Sequence, residues 1–205
     1  MSKNSKSNVK DNSIEKVIKE VRDRFGKCLK VTEPKSEYVR THLRELSLVP
    51  DSLVKTLVSR GLKVRIGHKY MTEFSSNKYY MYTTPRGHEN KKWSEIAGCY
   101  DPVSKIVYAG AGSDPDGSLI LHELGHGVAD LFDLNNSPEL VNTHIRLFDK
   151  LEDYYQQGGP GGVAGCEELF AEAFSLYLIA SEEGFLLRYK DMNFYNFFAK
   201  KFPKT

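Results

Sequence analysis

Two histidines lie four residues apart in the run His122-Glu123-Leu124-Gly125-His126. On a helix, positions i and i+4 share a face, so both imidazoles can meet one ion. Zinc suits such a pair, because it accepts imidazole and carboxylate ligands and prefers four of them. A catalytic zinc keeps one position for water, so a third protein ligand is required. Glu123, next to the first histidine, can reach that water without ligating the metal. The metal lowers the pKa of the water toward about 7, and the carboxylate takes the proton. Leu119, Ile120, Leu121 and Leu124 give the helix an apolar back. Gly125 and Gly127 each cost about 1 kcal/mol in a helix relative to Ala. They point to a strand or a substrate passing close to this turn.

A third histidine six residues after His126 would complete one well-known pattern, but that position is Phe132. His144 is the nearest other histidine. The segment Cys166-Glu167-Glu168-Leu169-Phe170-Ala171-Glu172-Ala173-Phe174 offers more. Glu168 and Glu172 are i,i+4 on one helical face, with apolar residues around them. One carboxylate can bind the metal, and the other can orient a ligating histidine through its free N–H. The competing interpretation is a solvated acidic face.

These residues need elements to hold them. Ile14, Val17, Ile18, Val21 and Phe25 recur at helical spacing, with Ser13 as the expected cap, and residues 1–12 read as a disordered polar tail. Further helices are expected over 38–47 and from Pro50-Asp51 to Gly61. Leu62, Val64 and Ile66 alternate with polar residues as in a half-buried strand. Tyr79–Tyr82 reads as another strand, 84–92 as a loop, and 97–110 as a hairpin turning at Asp101-Pro102. A loop over Gly110–Gly117 leads to Ser118, which caps the helix of His122. Ser137-Pro138-Glu139 opens a helix expected to reach about Tyr155. A Gly-rich loop, 158–165, precedes two or three helices over 166–202. The order of helices, small sheet and helices predicts a single α+β domain over 13–205.

Composition narrows the function. Apolar residues make up 40% of the 205, enough for a sizeable core without covalent staples. The net charge of +2 argues against a dedicated nucleic-acid binder. Cys28, Cys99 and Cys166 are far apart and form no CxxC pair, so neither a disulfide framework nor a Cys-based zinc site is expected. No apolar run reaches the roughly 20 residues needed to span a bilayer. The expected assembly is a monomer acting on a peptide or protein substrate.

The run His122-Glu-Leu-Gly-His126 followed by Glu168-Leu-Phe-Ala-Glu172-Ala-Phe174 resembles the catalytic domain of anthrax toxin lethal factor. It is also similar to the Pro-Pro endopeptidases of clostridia and bacilli. The similarity extends to Trp93-Ser-Glu-Ile-Ala-Gly98-Cys-Tyr100-Asp-Pro102 and Ile106-Val-Tyr-Ala, and covers about residues 48 to 200. It implies a zincin-like fold with a small mixed sheet, an HExxH helix and a helical C-terminal part. It implies one zinc per chain held by His122, His126 and Glu168, with Glu123 as general base and Glu172 behind a ligand. It implies zinc-dependent endopeptidase activity in a secreted, toxin-related bacterial protein. Residues 1–12 carry no apolar signal core, which leaves secretion and a cytoplasmic location both open.

One position departs from the family. A Tyr expected seven residues before the zinc-binding Glu, where it stabilises developing charge, is Gly161 here. Tyr154 and Tyr155 lie just upstream and can serve by another loop path; His144 is a further candidate donor. The departure leaves room for a weakly active or inactive zinc-binding partner module. A third reading is an intracellular DNA-associated metalloprotease. Substrate is expected to add as a strand along a sheet edge, for which Lys105–Gly110 is the candidate, with Tyr108 and Gly110 in the cleft.

Overall fold

A computed structural model of the chain describes residues 5–70, 79–85, 90–112 and 117–204. Nine helices and four strands alternate among these residues in the order α1 (Ser5–Phe25), β1 (Leu29–Val31), α2 (Glu37–Leu46), α3 (Asp51–Ser59), β2 (Lys63–Ile66), α4 (Tyr79–Tyr82), β3 (Gly98–Asp101), β4 (Ile106–Ala109), α5 (Leu119–Leu131), α6 (Pro138–Leu147), α7 (Val163–Ile179), α8 (Glu182–Tyr189) and α9 (Met192–Lys201). The architecture is α+β, as the sequence predicts. Of the polar tail expected over 1–12, residues 1–4 lie outside the described residues, and 5–12 continue α1 backward from Ser13.

The sheet has the order β1-β2-β4-β3. β1, β2 and β4 run parallel, and β3 pairs antiparallel with β4. Val64 and Ile66 of β2 and Val107 and Ala109 of β4 turn to one face, where they share a core with α1, α2, α3, α5 and α7. This is the pattern that period-2 alternation produces on a pleated strand. Tyr108 and Cys99 turn to the other face, under Tyr80 and Trp93. Behind α7, Phe170 and Phe174 pack against Phe198 of α9, so the helix is embedded on its far side as well.

Several expectations need correction. The edge strand beside α5 is β3, because β4 is flanked on both sides by β2 and β3. The Lys105–Gly110 segment is therefore an inner strand with no free edge to offer. Sequence reading missed β1, a three-residue strand too short to show alternation. Tyr79–Tyr82 is one helical turn, not a strand. Its aromatic side chains have strand propensity, but Tyr80 turns inward to meet the Trp93 ring at 4.8 Å and the Cys99 thiol at 3.7 Å. Helix α6 stops at Leu147, short of Tyr155. The chain then makes 3-10 turns over Phe148–Lys150 and Asp153–Gln156. The Gln156 side chain fixes this break by donating to the carbonyls of Phe148 and Leu151 at 2.9 and 2.8 Å. Gly165 belongs to the first turn of α7 and not to the loop before it. The loop regions expected around 84–92 and 110–117 lie partly outside the described residues.

Among the described residues, no helix is long and apolar enough to cross a membrane. All three cysteines are free thiols.

Candidate active site

Ser118 opens α5 as its side chain accepts a hydrogen bond from the Leu121 N–H at 3.3 Å. This satisfies one of the donors that a helix start leaves over. The following turns carry Ile120, Leu121, Leu124 and Val128 into the core, which leaves His122 and His126 on the face toward α7. The two helices meet at glycine: a Cβ on Gly125 would lie 2.8 Å from Ala171 Cα and 3.0 Å from Ala171 O. Gly127 gives the same kind of access to another partner, since a Cβ there would lie 3.0 Å from Leu62 Cδ1 and 3.2 Å from the Tyr100 ring. The glycines thus serve helix and strand packing behind the histidines.

The close approach of α5 and α7 puts Glu168 and Glu172 opposite the histidines. Glu168 and Glu172 are 6% and 4% exposed, so neither belongs to a solvated acidic face. His122 Nε2 and His126 Nε2 each lie 3.4 Å from Glu168 Oε2 and 3.2 Å from each other. Ligand bonds of about 2.0–2.1 Å in a tetrahedral site imply ligand–ligand separations of roughly 3.3 Å. The triangle of ligand atoms therefore fits one face of such a site, and these three residues can hold a metal ion. His122 Nδ1–H donates to Glu172 Oε2 at 3.4 Å, which turns Nε2 toward the triangle.

The electrostatics follow from burial and pairing. Burial pulls the His122 imidazole down. Hydrogen bonds to Glu168 and Glu172 and the charge of Glu123 outweigh it and hold the ring up at about 10. Burial pushes Glu168 up, but hydrogen bonds from His122 and His126 win and keep its carboxyl far below the usual carboxylate range. Glu123 is raised, chiefly by burial; the histidine charges and a hydrogen bond from the Tyr100 backbone N–H oppose the rise. That N–H comes from the edge strand β3. A Cβ on Gly98 of the same strand would lie 3.1 Å from Glu123 Cγ. The strand thus runs directly beside the carboxylate.

Tyr154 reaches the cluster. Its hydroxyl hydrogen-bonds the Glu168 carboxylate, and Glu123 is close enough for its charge to act on the phenol. Burial first, then these carboxylates, push the phenol well above its ordinary value, so it keeps its proton. The Tyr155 ring meets that of Tyr154 edge to face at 5.5 Å, and its carbonyl accepts from His144. His144 is fully buried and is held away from the cluster by Tyr155 and Gly161. Gly161, at the position expected to be Tyr, packs against α6, where a Cβ would lie 3.3 Å from Ile145 and Val141.

Tyr108 and Gly110 do not line a cleft. Tyr108 is buried on the sheet face away from α5. Gly110 donates its N–H to Ala97 O at 2.7 Å, and its carbonyl accepts from His42 Nε2 at 2.9 Å. A Cβ there would fall 1.7 Å from Lys69 O, so the glycine answers a backbone crossing. Sequence reading missed the Tyr100 N–H and the role of β3. The Trp93–Pro102 run carried the resemblance, but a backbone donor leaves no mark in a residue's identity.

The chain as a whole is similar to known proteins. The chain is 28% identical over 181 residues to the Pro-Pro endopeptidase of Paenibacillus alvei, a match covering 84% of this chain and 82% of that protein. The solved structure of the Pro-Pro endopeptidase from the same organism superposes with a TM-score of 0.67 at 24% identity, over 87% of this chain and 100% of that one. Residues 9–201 match the family described as anthrax toxin lethal factor, N- and C-terminal domain, and the chain belongs to that family.

Proposed function

We propose that this protein is a zinc-dependent endopeptidase with Glu123 as its general base. The observation that carries the reading is the triangle of His122, His126 and Glu168 ligand atoms, with edges of 3.2–3.4 Å, beside the buried Glu123 carboxylate. Zinc held there supplies a Lewis acid that acidifies water and polarises a carbonyl. Glu123 takes the proton of the attacking water and passes it to the leaving amine. The Tyr154 phenol keeps its proton, and when peptide binds its O–H turns from Glu168 to the charge that develops on the carbonyl oxygen. Glu172 keeps the His122 ring turned toward the metal.

The edge strand β3 supplies the substrate track. Ala97 O accepts from Gly110 N–H on the β4 side. By alternation along the strand, the backbone groups of Gly98 and Tyr100 face the free edge. A peptide added there as a further strand passes alongside Glu123.

The test is cleavage of a diverse peptide library, rich in Pro-Pro sequences because the matched relative is named for that bond, by wild type and Glu123→Gln. Zinc content is measured first in both. Cleavage by the wild type that stops with a chelator, together with a silent Glu123→Gln that still binds one zinc, supports the reading. Zinc binding without cleavage of any peptide moves the assignment to a binding module. Absence of zinc binding overturns the site itself.

A further inference from the structure

Tyr154 and Glu168 are joined by a loop whose course decides where the phenol sits. After the turn Asp153–Gln156, the chain reverses through Gly158, Gly159 and Gly161, at φ of +81°, +78° and +77°. Side-chain-bearing residues seldom adopt such angles. The reversal is tight: a Cβ on Gly162 would lie 2.6 Å from Gly158 C, and one on Gly165 would lie 2.4 Å from Tyr155 O. Left to itself, a loop with this many glycines has many competing conformations. Something must select one.

His144 does so from α6. Its Nε2–H donates to Tyr155 O at 2.7 Å, and Gly161 N–H donates to its Nδ1 at 2.9 Å. One fully buried imidazole thereby ties together the two ends of the loop, using both nitrogens. The tie begins one residue after Tyr154. Gly165 makes room for the ring, since a Cβ there would lie 2.6 Å from His144 Nε2. The alternative is that His144 fills space in the core between α6 and α7. Burial alone demands that both ring nitrogens find partners; what is particular here is that both partners are main-chain groups at opposite ends of one loop.

We propose that His144 is the positioning residue of Tyr154. It sets the loop path that brings the phenol onto Glu168, and so replaces the direct route closed by Gly161. This rests on the endopeptidase reading only for its effect on rate; the effect on the loop and on the metal ligand stands apart from it.

The experiment is a double-mutant cycle with His144→Ala, Tyr154→Phe and both together, read two ways. The first readout is kcat and KM for a cleaved peptide. The second is the dissociation constant for Co2+, measured by visible absorption, which needs no activity. It responds because Tyr154 bonds the ligand Glu168. His144→Ala should lower kcat by about 10²-fold with little change in KM, as expected when a reacting group is displaced by about 1 Å. In the Tyr154→Phe background it should cost almost nothing further, in rate or in Co2+ binding. His144→Asn, which keeps an acceptor near the place of Nδ1, should recover part of the loss and restore slow exchange of the Gly161 amide. Effects that multiply in the double variant would show His144 acting independently of Tyr154, and would overturn the proposal. An unchanged Gly161 amide in His144→Ala would do the same. If His144→Ala does not fold, His144→Asn carries the cycle alone. If the wild type cleaves nothing, the endopeptidase reading fails, and the Co2+ cycle still decides the positioning.

Discussion

Gly125 and Ala171 touch backbone to backbone: a Cβ on the glycine would lie 2.8 Å from Ala171 Cα. This contact sets the distance between α5 and α7, and with it the triangle of His122, His126 and Glu168. Gly125→Ala gains about 1 kcal/mol of helix propensity. Overpacking costs typically 1–3 kcal/mol and here meets main-chain atoms that cannot swing aside. The packing term should win. The variant is expected to melt at lower temperature and to bind zinc at least about tenfold more weakly, checked by thermal unfolding with and without metal. Unchanged zinc affinity would show that the helix spacing tolerates a methyl group.

Glu172 lies on the far side of His122 from the triangle, with Oε2 at 3.4 Å from Nδ1. It is buried, and its carboxylate fixes the ring orientation. Glu172→Gln keeps the shape and loses the charge, while Glu172→Ala loses both. Removing such a partner typically costs 10–100-fold in metal affinity or activity. Competition against a chromophoric chelator should place Glu172→Ala at about that loss and Glu172→Gln between it and wild type.

The pH dependence of metal uptake follows from the same carboxylates. His122 is held up at about 10 in the metal-free protein, while Glu168 is held below its usual range. At neutral pH the metal must therefore displace a proton from His122 and none from Glu168. Binding should release at least the His122 proton, and affinity should rise with pH until the pH approaches the His122 value. Calorimetry in buffers of differing ionisation enthalpy counts the proton. A flat profile between pH 6.5 and 8.5 would show that His122 is already neutral.

The candidate cluster was legible in the sequence because helix geometry is local, although choosing Glu168 over Glu172 as the ligand took the family resemblance. The spacings His122/His126 and Glu168/Glu172 put side chains on shared faces whatever the rest of the chain does. The strand order was not legible. Whether β3 or β4 is the edge depends on β2 docking against β4, and on a three-residue β1 that carries no periodic signal. The placement of Tyr154 against Glu168 was half visible. Its proximity in sequence marked it beside Tyr155, but the loop that follows takes its path with a hydrogen bond from His144 on another helix and with left-handed glycines, neither of which a local pattern announces.

That placement gives the sharpest prediction. Tyr154 and Tyr155 are neighbours whose rings meet edge to face at 5.5 Å. Tyr154 hydrogen-bonds Glu168, while the Tyr155 main-chain carbonyl is held by His144. Removing one hydroxyl from each tests function without disturbing the aromatic packing. Loss of a single donor to developing charge typically costs about 10²–10³ in kcat. Tyr154→Phe, assayed at saturating zinc, should fall in that range with little change in KM. Tyr155→Phe should keep kcat within a few-fold of wild type. Steady-state kinetics on one cleaved peptide separates the two. A larger loss in Tyr155→Phe would mean that the loop rearranges when peptide binds and presents the other phenol.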